Sequence, residues 1–213
     1  MNRPRLSARR LLLVGVIVLI VISAALVYVT SQPNQPSTTP TTKLTVAFDF
    51  DTGSPFLAST QTTPFNQTSN NITAHFSSPS DNASPAFSIQ SYDTTSFRLS
   101  QFSGKYLYDN KPSRDILEIK FNTEIIAIKF TFATAESQST TIMIPSDIVL
   151  TAYKNNNLLG TNRTYGSFSS DSYPQGTLSL NPGRPFNWVR ISIPVQTSGT
   201  TDFLVDNVIV TPL

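Results

Sequence analysis

The side chains that could do chemistry in this chain are few. Histidine occurs once, at position 75, and cysteine not at all. Disulfide frameworks, cysteine-ligated zinc, iron–sulfur clusters, thiol nucleophiles and multi-histidine metal centres are thereby excluded. A serine triad would have to use His75, and no Gly-x-Ser-x-Gly elbow accompanies it. A lone imidazole in a strand-like segment reads as a surface or hydrogen-bonded side chain rather than a base. Glycoside hydrolysis needs two carboxylates about 5 to 10 Å apart, a separation that linear spacing does not reveal. Glu118, Glu124 and Glu136 read as solvent-face strand or turn residues. Neither a phosphate-cradling glycine loop nor a dinucleotide fingerprint is present. The chain is therefore expected to bind rather than to catalyse.

Binding chemistry has a candidate. Trp188 is the single tryptophan, and period-two alternation puts it on one face with Phe186 and Arg190, opposite Val189, Ile191 and Ile193. An aromatic ring beside a guanidinium on a sheet face can stack on a sugar ring and hydrogen-bond its hydroxyls; the plainer alternative is that it covers the sheet. Tyr165 and Tyr173, in the polar region before Gly176, are further candidates of the same kind. Four Asn-x-Ser/Thr sequons, at Asn66, Asn71, Asn82 and Asn162, are candidate glycosylation sites, although a chain so rich in Asn, Ser and Thr yields some by chance.

These residues must be positioned by strands. Charged residues are only 13% of the 213, and the polar surface is made instead of Ser, Thr, Asn and Gln. From Lys43 onward the apolar period is two: Leu44, Val46, Phe48 and Phe50 alternate with Thr45, Ala47, Asp49 and Asp51. Further strands are expected at Ile72–Ser77, Ala86–Tyr92, Ser96–Gln101, Tyr106–Tyr108, Ile116–Phe121, Ile125–Ala133, Thr140–Ile144, Ile148–Tyr153, Leu158–Thr164, Gly176–Leu180, Trp188–Pro194 and Phe203–Val210. Between Tyr153 and Leu158 the run Lys154-Asn-Asn-Asn157 reads as a hairpin turn, since Asn tolerates positive φ. In the last strand Phe203, Val205, Val208 and Val210 are inward, with a break at Asp206-Asn207. So many short strands and no helical stripe predict an all-β sandwich of two antiparallel sheets, with jelly-roll connections favoured.

The order of IIAIKFTFA, LTAYKNNNLLGT, GTLSL, WVRISIP and FLVDNVIV, with LTVAFDFDTG opening the domain, resembles the galactose-binding-like jelly rolls of extracellular carbohydrate-binding modules and related prokaryotic surface proteins. The resemblance implies that the first and last strands lie near each other and that acidic residues there hold a structural calcium ion. In this chain those residues are Asp49, Asp51, Asp202 and Asp206, which could supply the anionic part of the six to eight oxygens calcium takes. On the alternative reading Asp49 and Asp51 are solvated strand residues and Asp206 caps a turn.

Residues 11–29 form a nineteen-residue run without charge, roughly 28 Å long as a helix, enough to span the hydrocarbon core of a bilayer. Arg3, Arg5, Arg9 and Arg10 precede it and the next basic residue is Lys43, so the basic stub 1–10 is expected in the cytoplasm and the remainder outside. A cleaved signal peptide ending near Ser23-Ala24-Ala25 is the rival; apolar Leu26 to Val29 continue past that cut and favour an uncleaved anchor. Residues 30–42, with three Pro and seven Ser or Thr in thirteen positions, are expected to be a stalk. Of fifteen Lys and Arg, four lie before the apolar run, leaving eleven against thirteen Asp and Glu in the exterior domain 43–213. A weakly acidic domain without a basic stripe argues against nucleic-acid binding. The expected function is a single-pass, membrane-anchored, non-catalytic module displayed outside the cell that recognises glycans or cell-envelope polymer. The alternative is a structural or assembly protein of the envelope acting through protein contacts.

Overall fold

The computed structural model describes residues 43–92, 99–110, 116–136, 147–167, 173–194 and 201–213; the side chains of residues 135, 136, 201 and 202 lie outside that description. The stub, membrane and stalk segments fall outside it too, as does the expected strand Thr140–Ile144. Among the described residues no helix is long and apolar enough to cross a membrane. Residues Lys43–Leu213 form one compact unit whose regular elements, among the described residues, are all strands.

Eleven strands are described: β1 (Val46–Phe48), β2 (Phe65–Ser69), β3 (Ile72–Ser77), β4 (Phe87–Ser91), β5 (Lys105–Asp109), β6 (Leu117–Glu136), β7 (Asp147–Lys154), β8 (Asn157–Tyr165), β9 (Gln175–Leu180), β10 (Phe186–Ser192) and β11 (Thr201–Pro212). All pairings are antiparallel. The long β6 organises them. Its first residues, Leu117–Phe121, pair with β3 and β10; from Ile125 onward it pairs with β11 and β9. One strand group is thus β2-β3-β6-β10-β7-β8, and the other is β4-β5-β11-β6-β9 with β1 on β11. The period-two pattern predicts two separate strands here, Ile116–Phe121 and Ile125–Ala133, with Asn122-Thr-Glu124 between them. The structure makes it the stretch where one continuous strand exchanges partners.

Inward side chains of both groups meet in one core. Ile119, Val189, Ile191, Leu150 and Ala152 come from the first group, and Phe130, Phe132, Val205, Phe203 and Ile89 from the second; all are at most 1% exposed. Phenylalanines dominate the end near β1, where Phe48, Phe50, Phe65, Phe76 and Phe121 lie with ring centroids 5.0 to 6.5 Å apart. Each such ring contributes roughly 1.5 to 3 kcal/mol on burial.

Local chemistry explains several departures from the expected strands. The first strand is short: Leu44 is 67% exposed, and after Phe48 the chain leaves the ladder. Phe50 is buried by a left-handed turn (φ 61°), so its burial comes from a bend and not from strand alternation. The β7–β8 hairpin turns at Asn155 and Asn156 (φ 50° and 64°), as the Asn run predicts. The Asp206-Asn207 break is a bulge, with register shifting between Asp206 and Ile209 and Asn207 at φ 51°. Leu99–Gln101, expected as the end of a strand, is instead part of a turn. Phe65–Ser69, too polar at Asn66 to Ser69 to be read as a strand, becomes β2 through its hairpin with β3.

Candidate functional site

Trp188 lies on the outward face of the first strand group. Register places Asn66, His75, Lys120, Trp188 and Tyr153 side by side across β2, β3, β6, β10 and β7. One step along, Ser77, Glu118, Arg190, Thr151 and Thr161 form the next row. Trp188 and Tyr153, both half-buried, stack with ring centroids 4.3 Å apart and 16° between planes. The Arg190 guanidinium lies 5.0 Å from the Trp188 ring and 5.7 Å from that of Tyr153, and Lys120 Nζ is 5.9 Å from Trp188. Arg190 donates through Nε, at 2.8 Å, to Glu118 Oε1, and its Nη2 is also 2.8 Å from that oxygen. The double contact compensates a carboxylate whose side chain is only 11% exposed. Glu118 is therefore no freely solvated strand residue: it fixes the guanidinium beside the aromatic stack.

Phe186 does not join this face. A bulge between Phe186 and Trp188 inverts the alternation, and Phe186 is fully buried in the core. Its place beside Trp188 is taken by Tyr153, which alternation alone puts opposite Ala152 but cannot assign to a neighbour. His75 is half-buried, its Nδ1 2.7 Å from Asn66 Oδ1. Tyr165 is 58% exposed and pairs in register with Asp147, on the same face as Tyr153 but six residues further along β7, roughly 20 Å away. Arg163, two residues before it, ion-pairs with Asp147. Tyr173 packs instead in the second strand group, against a cluster of Leu99, Phe102, Tyr106, Ala133 and Leu204. The structure thus separates Tyr173 from Trp188.

The acidic residues converge in part. Asp49 is a turn-former: its Oδ1 accepts from the N–H of Asp51 (3.1 Å) and Thr52 (2.8 Å), and the Thr52 hydroxyl donates to both its oxygens. Asp51 Oδ2 accepts the Lys105 N–H at 3.0 Å, and Asp206 Oδ2 accepts the Ser103 N–H at 3.3 Å. The turn Ser103–Lys105 is therefore tied to both ends of the domain. Gly104 sits at φ 62°, and a Cβ there would lie 1.9 Å from Asp51 Oδ2, so only glycine lets the carboxylate approach. Asp206 is fully buried, and that desolvation pushes its pKa up to about 7; the negative charges of Asp51 and Asp49 add to the rise, against hydrogen bonds from the Asn207 and Ser103 N–H groups. Nearby, buried Gln67 donates to Thr52 O at 2.5 Å and leaves its own Oε1 without a partner. Among the described residues no group of three or more His, Cys, Asp or Glu side chains could hold a metal ion. The side chain of Asp202 lies outside the described residues.

The sequons fall into two settings. Asn71 (φ 65°) and Asn82 are exposed in turns. Asn66 and Asn162 are exposed on strands with their amides engaged, Asn66 with His75 and Asn162 donating to Ser179 O at 2.7 Å.

No family model and no curated protein matches the chain. Solved structures do. TmCBM61 in complex with β-1,4-galactotriose is similar over 66% of this chain and 88% of that one, at 9% identity and a TM-score of 0.38. The family 11 carbohydrate-binding module of the cellulosomal cellulase Lic26A-Cel5E of Clostridium thermocellum is similar over 66% of this chain and 88% of its own, at 9% identity and a TM-score of 0.32. The Agl-KA catalytic domain covers 74% of this chain while only 29% of its own length is matched, at 9% identity and a TM-score of 0.40. At these values the likeness carries no ligand or chemistry across, and the functional reading rests on the site itself.

Proposed function

We propose that the chain is a membrane-anchored, non-catalytic binding module, its jelly-roll sandwich held outside the cell by residues 11–29 and the stalk 30–42, and that it recognises glycans or cell-envelope polymer. The single observation that carries this reading is the Trp188–Tyr153 stack, half-buried on a sheet face and edged by Arg190 and Lys120. Aromatic surface takes the apolar face of a sugar while the cations and Glu118 meet its hydroxyls. A non-catalytic role is supported by how the carboxylates are used: Asp49 shapes a turn, Asp51 and Asp206 hold the Ser103–Lys105 turn, and Glu118 holds Arg190. A glycan array probed with the detergent-solubilised full chain is expected to give binders that Trp188→Ala loses. An array without binders, or binders indifferent to Trp188→Ala, would overturn the reading.

A structural calcium ion held by Asp49, Asp51, Asp202 and Asp206 together belongs to the same proposal, supported by Asp51 and Asp206 both binding the Ser103–Lys105 turn and by the orphaned oxygen of Gln67, whose amide donates to Thr52 O. Equal unfolding temperatures in calcium and in chelator would remove it. Glycan attachment is proposed first for Asn71 and Asn82, whose turns leave the amides accessible; an unmodified intact mass of the native protein would retire it. The assembly reading has an observation of its own. β8 has β7 as its sole strand partner among the described residues, and it exposes Leu158 (60%) and Tyr165 (58%). Concentration-dependent self-association without glycan affinity would favour that reading.

A further inference from the structure

Among the described residues of the outward face that carries Trp188, carboxylates and cations do not balance. Glu118 is bound by Arg190 and Asp147 by Arg163, each carboxylate having its own guanidinium. Lys120 is a third cation. Its side chain is 54% exposed and its Nζ stands 3.6 Å from Glu118 Oε2, an oxygen other than the one Arg190 holds. At that distance and exposure the pair is weak and leaves the ammonium able to take a second anion. Lys120 stands between His75 and Trp188 in the cross-strand row, with Asn66 beyond His75. The local surplus is positive although the exterior domain as a whole carries more acidic than basic residues, eleven Lys and Arg against thirteen Asp and Glu. A hydroxyl of a neutral sugar would accept a hydrogen bond from this ammonium; a carboxylate or sulfate on the sugar would accept a stronger one, with both partners charged.

We infer that the ligand of this face is an anionic glycan, its sugar against the Trp188–Tyr153 stack and its acidic group at Lys120. The inference rests on the glycan reading above and narrows it to a chemical class. Asn66 and His75, hydrogen-bonded to each other in the same row, extend the polar track along which such a chain would run.

Trp188, as the only tryptophan, reports binding directly. The full chain would be titrated at low salt with polygalacturonate, dextran sulfate, uncharged dextran and, as a non-saccharide polyanion, polyglutamate, following Trp188 emission. The expected result is a response to one or both anionic glycans that exceeds those to dextran and polyglutamate and weakens with salt. Polygalacturonate against dextran sulfate tells a carboxylate from a sulfate. Lys120→Gln is expected to weaken the anionic glycan roughly threefold to fivefold, the worth of one exposed charge contact. Equal response to dextran, with Lys120→Gln unchanged, overturns the anionic assignment and leaves the glycan reading standing. Equal response to polyglutamate also overturns it, because charge alone would then suffice. Silence to every glycan takes down the glycan reading and this inference with it.

Discussion

The outward faces of the two strand groups are built from the same alternation and treated oppositely. On the first, Trp188, Tyr153, Arg190 and Lys120 stand half-buried or exposed. On the second, Tyr106 and Leu204 point outward yet are 2% exposed, because Leu99 and Phe102 pack over them. The covering segment is fastened at intervals: Leu99 N donates to the Tyr92 hydroxyl, Gln101 N to Gln175 Oε1, Ser103 N to Asp206 and Lys105 N to Asp51. Burial pushes the Tyr106 hydroxyl up to about 12, with Tyr108, Tyr173 and Tyr92 adding to it, and that hydroxyl donates to Gln90 Oε1. A sheet face rich in tyrosine is thus no sign of a binding surface by itself. The proposed binding face differs in having aromatic area left uncovered beside charged side chains.

The largest effect expected from this contrast belongs to the covered face. With its folded pKa raised to about 7 from the ordinary 3.8, Asp206 stays protonated in the folded chain while ionising in the unfolded one. Its contribution is fully present below about pH 4 and is lost as pH rises through about 7. At about 1.4 kcal/mol per unit, up to about 4 kcal/mol would go over that window. Urea unfolding in chelator from pH 4 to 8 should show the decline, and Asp206→Asn should flatten it; a flat wild-type profile would place Asp206 in a better-hydrated setting than the covered face allows.

Next in size, Leu204→Ala opens a cavity beneath the covering segment and should cost about 3 kcal/mol, read from the same unfolding curves. A cost below about 1 kcal/mol would mean that the cover is loose. On the open face Tyr153→Ala removes one aromatic pair and part of its buried surface and should cost about 2 kcal/mol, less than Leu204→Ala, while abolishing the glycan response, so stability and binding separate there. Smallest of all, Lys154→Ala breaks a surface ion pair with Glu124 and should change stability by no more than about 0.5 kcal/mol. A larger loss would show that the hairpin end is less solvated than its exposed side chains indicate.

Much of the fold was legible in the residues themselves. Period-two runs located β3, β4, β7, β9 and most of β11, and the Asn residues after Tyr153 and the Asp206-Asn207 pair marked places where the backbone takes positive φ. What escaped was relational. The bulge that buries Phe186 cannot be read from a pattern that treats Phe, Trp and Arg as one alternating face. Tyr153 and Lys120 became neighbours of Trp188 only through cross-strand register, which the local sequence of no single strand contains. The first and last described strands, β1 and β11, do pair, as the resemblance implied, whereas the convergence of Asp51 and Asp206 on one turn is known only from the structure. The strapping role of Ser103–Lys105 had no sequence signal beyond the glycine at its centre.

The central claim is that the uncovered stack is where ligand binds. Iodide or acrylamide quenching of Trp188 tests it most directly, with the full chain measured before and after saturation by a glycan shown independently to bind. Quenching should fall several-fold on saturation, because the sugar would cover the exposed rim of the stack. A saturated complex in which Trp188 stays as quenchable as before would put the ligand elsewhere and contradict the claim.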